Sequence, residues 1–226
     1  MKIAVLGTGS VGRAISARLV ELGHDVRMGT RNPTESLNRT ETDQMGNPPL
    51  STWLAQNSKI ALVTFAEAAS GSEWIVNATN GAASLEVLRA AEAKHLAGKV
   101  LIDISNPLGD ESGFPPSLFV SNTDSLGEQI QREFPETKVV KTLNTMNNQL
   151  MIHPLKLANG DHSVFLSGND KAAKESVVEL LRTFGWADIV DLGDISTARG
   201  PEMYMALWLR MWGALQIPMF QIKVVK

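Results

Sequence analysis

The chain has 226 residues and a formal net charge of -3, with 43% apolar and 20% charged residues. These values exclude a disordered or membrane class and argue against a general nucleic-acid binder, which leaves small-molecule chemistry as the first expectation. There is no cysteine, so disulfides, thiol nucleophiles and thiolate metal or iron-sulfur sites are all removed, and any redox chemistry must use a bound cofactor.

The chain opens on MKIAVLG, which reads as a strand and lacks the apolar core and cleavage site of a signal peptide. No stretch of about 18 apolar residues follows, because even MYMALWLRMWGALQIPMF carries Arg210 and Pro218. A cytoplasmic protein without membrane contact is expected.

Apolar runs at KIAVLG (2–7), DVRMG (25–29), IALVT (60–64), EWIVNAT (73–79), KVLIDIS (99–105) and KVVKTLN (138–144) predict six strands. SVGRAISARLVEL and LEVLRAAEAKHL between them have helical periodicity, with Leu85, Leu88 and Ala91 repeating on one face of the second. Thr64 and Glu67 have capping-box spacing, which starts a short helix at TFAEAAS. From Pro33 to Pro49 the pattern is a weak helix and an irregular loop. Strand and helix alternate, as in a parallel, doubly wound sheet.

After residue 145 the pattern becomes HSVFLSG (162–168), a helix over 171–185, ADIVDLG (187–193) and a long apolar C-terminal helix. The expected architecture is therefore an α/β, Rossmann-type, mostly parallel sheet with a small C-terminal α/β extension and that long helix. Residues 1–148 are expected to form the dinucleotide-binding domain, and residues 149–226 an extension packed as one unit with it. The later strands either enlarge the sheet or build a small second lobe. Trp208, Trp212, Leu215 and Phe220 on the last helix either close the core or bury against a second subunit, and a homodimer is the expectation.

Gly7-Thr8-Gly9-Ser10-Val11-Gly12 follows the first strand at once and opens the first helix. In a dinucleotide site the first glycine makes the tight turn, the second admits the pyrophosphate, and the third allows close helix-strand packing. The acid that would bind an NAD ribose is missing at the end of the second strand, where Thr30 and Arg31 stand in its place. A hydroxyl and a guanidinium fork suit a 2′-phosphate, so the predicted cofactor is NADP. The competing reading makes Arg31 a solvated arginine and Thr30 a helix cap.

Ligands of open parallel sheets bind beyond the carboxyl ends of the strands. Those ends carry Asn77-Ala78-Thr79-Asn80, then Asn106 and then Asn144-Thr145-Met146, which are uncharged and hydrogen-bonding as a nicotinamide carboxamide and its ribose require. The same residue types also cap helices and turns. No residue is assigned as a catalytic acid or base and no metal-ligand spacing occurs, although His153 and Tyr204 are candidate proton donors for a carbonyl or imine reductase.

Taken together, KIAVLGTGSVGRAIS with its LGHDV turn, GTRNP, KTLNTMNNQ and FLSGNDKAAKESVVELLRTFGWADIVDLGDISTAR resemble the coenzyme F420-dependent NADP oxidoreductases. That family's Rossmann domain is shared by the reductase domains of certain membrane ferric reductases. The resemblance implies that Thr8, Ser10, Val11, Thr30 and Arg31 hold the adenine half of NADP. It further implies that Thr79, Asn80 and Asn144 to Met146 line the nicotinamide side, with hydride passing to a flavin-like or deazaflavin acceptor. A reductase of a small carbonyl or imine, and a non-catalytic NADPH sensor, stand as alternatives.

Overall fold

The computed structural model describes residues 1–42, 46–109 and 113–225. The first half runs β1 (Lys2–Leu6), α1 (Ser10–Glu21), β2 (Asp25–Thr30), α2 (Pro33–Asn38), α3 (Leu50–Gln56), β3 (Ala61–Thr64), α4 (Phe65–Ser70), β4 (Trp74–Asn77), α5 (Ser84–Ala90), α6 (Ala93–Leu96) and β5 (Val100–Asp103). The second half runs α7 (Leu126–Glu133), β6 (Lys138–Thr142), α8 (Asn148–Ile152), β7 (Ser163–Gly168), α9 (Lys171–Phe184), β8 (Asp188–Asp191) and α10 (Arg199–Leu215).

Among the described residues the strands form one eight-stranded sheet of order β3-β2-β1-β4-β5-β6-β7-β8. The first six run parallel, β7 pairs antiparallel with β6, and β8 pairs parallel with β7. Both later strands therefore enlarge the sheet, and the expected fold class is found.

The sheet is covered on both faces, which is why its strands read as nearly continuous apolar runs. Side chains alternate along β1. Ile3 and Val5 join Ile15, Leu19, Val164, Leu180 and Phe184 on one face, while Ala4 and Leu6 join Phe65, Leu88, Leu101 and Ile130 on the other.

Thr64 and Glu67 close the predicted capping box: the Thr64 hydroxyl accepts from the Glu67 N–H at 3.3 Å, and the Thr64 N–H donates to Glu67 Oε2 at 2.9 Å. LEVLRAAEAKHL is not one helix. The backbone turns to φ +67° at Glu92, so α6 restarts in a new direction and seats Leu96 in the core with no exposed surface. The stretch from Pro33 to Pro49 holds the short α2 followed by loop, and its residues 43–45 lie outside the described residues. Among the described residues no helix is long and apolar enough to cross a membrane.

Candidate functional site

β1 lies between β2 and β4, so the connections leaving its two sides diverge and open a crevice beyond the strands' carboxyl ends. The glycine turn sits there. Gly7 adopts φ +116°, and a Cβ on it would stand 2.6 Å from the Ala78 carbonyl oxygen, because the turn after β1 backs onto the turn after β4. A Cβ on Gly12 would collide with the Gly7 carbonyl. Gly9 differs, since at φ -74° a Cβ on it would meet no atom of the described residues within 4 Å.

The protein's own packing therefore demands Gly7 and Gly12, while Gly9 faces open space. Helix α1 begins with no side-chain cap and no acidic residue in its first turn. Its leading N–H groups and the positive end of its dipole are directed into that space, a fit for a pyrophosphate.

At the end of β2, Thr30 is buried and its hydroxyl lies 2.8 Å from Ser36 Oγ. Arg31 is exposed and donates to Glu86 Oε1 at 2.8 Å. Asn32, not Thr30, caps α2 by accepting from the Glu35 N–H. Asp25 lies at the opposite end of this strand. Beside the glycine turn is a cavity of about 180 Å³, lined by Thr8, Gly9, Arg13, Ser36, Arg39, Glu41 and Leu50.

Arg13 donates to the Thr8 carbonyl at 2.9 Å and to the Pro48 carbonyl at 2.6 Å, and its guanidinium stands over the Trp53 ring. It fastens the irregular segment after α2 to the glycine turn. Arg13, Ser36 and Arg39 were not singled out from sequence, although an arginine within the buried run Gly12 to Ser16 was a usable signal.

A second cleft of about 220 Å³ opens beyond β4 and β5, with Val11, Ala78, Thr79, Asn80 and Asn106 in its lining. None of its described lining residues is an acid or a base. Asn80 also caps the turn that follows it, accepting from the Ala82 N–H at 3.0 Å. Asn77 and Asn144 are buried next to lining residues of this cleft, whereas Thr145 is buried against a separate apolar cavity of about 200 Å³ that it lines with Tyr204, and Met146 is buried in the core. Asn106 and Asn144 clasp each other: the Asn106 amide donates to the Asn144 carbonyl at 2.8 Å, and the Asn144 amide donates to Asn106 Oδ1 at 2.9 Å.

Under the cleft lies a charged cluster that sequence reasoning missed. The Lys141 ammonium, with no exposed surface, donates to Asp103 Oδ2 at 2.7 Å and to the Ser105 carbonyl at 2.6 Å, and it meets Glu202 Oε1 at 2.8 Å. Burial pulls its pKa down, but the Asp103 and Glu202 carboxylates more than offset this and leave it above the ordinary lysine value. Glu202 also accepts from the Leu126 and Gly127 N–H groups, so one residue of α10 caps α7.

The two candidate proton donors stand elsewhere. His153 ends α8, which lies along α1, and it comes within electrostatic reach of Arg18 and Glu21 at the helix end remote from the glycine turn. Burial, then Lys156 and Arg18, lowers its pKa. The Tyr204 hydroxyl is buried without a hydrogen-bond partner among the described residues and is pushed up to about 12 by burial.

A family model for the coenzyme F420-dependent NADP oxidoreductases matches residues 2–107, the segment that carries the glycine turn and both strand ends above. A protein from Arthrobacter sp. FB24, described as a candidate F420-dependent NADP-reductase, has a crystal structure that is 55% identical to this chain; the match covers 100% of each with a TM-score of 0.96. The chain belongs to the F420-dependent NADP oxidoreductase family.

Within this family of NADP-dependent oxidoreductases, the chain is 24% identical to the F420-dependent NADP reductase of Methanocaldococcus jannaschii, covering 88% of this chain and 86% of that one. It is 29% identical to the rat metalloreductase STEAP3 over 96% of its own length, but it spans only 38% of that relative.

Proposed function

We propose that this chain binds NADPH along the crevice and transfers a hydride between its nicotinamide and a flavin-like or deazaflavin ring. Gly7, Gly9 and Gly12 shape the pyrophosphate turn, with Thr8, Ser10 and Val11 beside it. Thr30 and Arg31 answer the 2′-phosphate, and Arg13, Ser36 and Arg39 complete that pocket. Ala78, Thr79, Asn80 and Asn106 line the nicotinamide half, supported from behind by Asn77 and Asn144.

One observation carries the reading. A glycine turn open only at Gly9 adjoins a cleft whose described lining holds no titratable side chain. The bound dinucleotide supplies the reactive hydride carbon, so the protein needs to supply closeness, orientation and exclusion of water rather than a proton. The names of the Methanocaldococcus and Arthrobacter relatives support a deazaflavin as the partner ring. Reduction of a carbonyl or imine is less well supported, because His153 stands at the far end of α1 and Tyr204 is made a weaker acid by burial.

Titration of the protein with NADPH and NADH tests the cofactor assignment. NADPH is expected to bind at least about tenfold more tightly, and Arg31→Ala to remove most of that preference, since a charge-assisted fork to phosphate is lost. Equal affinities in the unaltered protein would overturn the assignment.

A further inference from the structure

The buried cluster continues from Lys141 to the cleft surface through groups whose hydrogen-bonding sense is fixed. A lysine ammonium only donates, and its three protons are taken by Asp103, Glu202 and the Ser105 carbonyl. A carboxylate only accepts. The second oxygen of Asp103 receives the Asn77 amide at 2.9 Å, together with the Ser105 N–H at 3.2 Å and the Ser105 hydroxyl at 2.7 Å.

Asn77 is thereby oriented, with its NH2 toward Asp103 and toward Ser84 Oγ at 3.1 Å. Its carbonyl oxygen must then face Thr79, whose hydroxyl donates to it at 2.7 Å. Thr79 has one hydroxyl proton, which goes to the Asn77 oxygen because that oxygen can only accept; the Ser84 hydroxyl, 3.0 Å away, then donates to one of the two Thr79 lone pairs and leaves the other. What Thr79 turns toward the cleft that it lines is a lone pair.

We propose that the chain Lys141–Asp103–Asn77 fixes the polarity of this cleft, holding Thr79 as an acceptor for the NH2 of the nicotinamide carboxamide. The proposal rests on the nicotinamide half occupying this cleft. A ribose hydroxyl can donate or accept and would not need Thr79 held in one sense, whereas the carboxamide NH2 only donates. Thr79 would touch the cofactor directly; Asn77, Asp103 and Lys141 are positioning residues that act through it. Glu202 ties the same chain to α10 and to the start of α7.

The test compares binding of NADPH with binding of its 3-acetylpyridine analogue, in which a methyl replaces the NH2. 2′,5′-ADP reports on the adenine half and on intact folding. The unaltered protein is expected to prefer NADPH by roughly three- to tenfold, the yield of one net hydrogen bond. Thr79→Val should bring that ratio close to one and Thr79→Ser should keep it, with 2′,5′-ADP binding unchanged in both.

Asp103→Asn carries the longer-range claim. Its oxygen must stay toward Lys141 and its NH2 must turn toward Asn77, which reverses Asn77 and then Thr79, so the ratio should fall to one or below. If that variant does not fold, Asn77→Ala removes the acceptor that fixes the Thr79 proton and leaves it shared between Ser84 Oγ and the cleft, which is expected to narrow the ratio in the same direction. A ratio unchanged by Thr79→Val, or NADPH and the analogue weakened equally by it, would overturn the polarity proposal alone. Failure of the unaltered protein to bind NADPH would overturn the site reading with it.

Discussion

Lys141 on β6 and Glu202 on α10 meet at 2.8 Å, and neither side chain is more than 2% exposed. The pair joins the centre of the sheet to the last helix, and the same Glu202 carboxylate caps α7. Removing the cation would leave Asp103 and Glu202 as buried carboxylates without a counter-charge. Lys141→Met is therefore expected to cost about 3–5 kcal/mol in denaturant unfolding, as when one partner of a buried pair is deleted. A loss near zero would mean that the cluster does not stabilise the fold.

The pH dependence of this pair has a definite sign. The folded Lys141 pKa lies above its ordinary value, so its contribution is present in full below the unfolded pKa and is lost as pH rises through the folded one. Unfolding free energy in the unaltered protein should fall in strongly alkaline solution, and a Lys141→Met variant that folds should show less of that fall.

The glycines of the turn separate folding from binding. Gly12→Ala sets a methyl against the Gly7 carbonyl and is expected to lower the melting temperature by several degrees, given an overpacking cost of about 1–3 kcal/mol. Gly9→Ala adds a methyl at an ordinary φ into open space. It should leave stability within about 0.5 kcal/mol of the unaltered protein while weakening NADPH binding. Full NADPH affinity in Gly9→Ala would show that no ligand backbone approaches there.

At the surface, Arg132 donates twice to Asp124, at 2.9 and 2.7 Å, and those bonds hold the Asp124 carboxyl at about 2, below its ordinary 3.8. A depressed carboxylate stabilises the fold above its unfolded pKa, and this contribution is lost as pH falls through the folded one. Because Arg132 is largely exposed, solvent screening limits the pair to less than about 1 kcal/mol. Asp124→Asn should therefore change stability only slightly at neutral pH, and that change should shrink as pH falls from about 4 through about 2 and vanish well below it. Unfolding measured across that acid range checks both statements.

The sequence exposed the parallel sheet because strands buried on both faces keep unbroken apolar runs, as in KIAVLG and KVLIDIS. The ends of those strands pointed to Ala78, Thr79, Asn80 and Asn106, since ligands of such sheets sit beyond the carboxyl ends. Strand direction was not legible at β7, because periodicity carries no sense of direction. The buried cluster was hidden for a different reason. Lys141 in KVVKT reads as an outward polar residue, and its partner Glu202 lies far along the chain in an apolar helix. α7 could have been found, because Ser125 and Glu128 have cap spacing and the Glu128 N–H donates to the Ser125 hydroxyl at 3.1 Å.

Rapid mixing of the enzyme and NADPH with oxidised deazaflavin tests the central claim most directly. The account predicts that nicotinamide absorbance and deazaflavin absorbance fall together, one for one. On this account a hydride would pass from the nicotinamide to the ring, and a solvent proton would complete its reduction. The rate should be nearly flat between about pH 6 and 8, since no described side chain in the cleft titrates there. Contradiction would come from NADPH that binds but passes no hydride to deazaflavin or flavin, while reducing a carbonyl or imine at a rate governed by one ionising side chain.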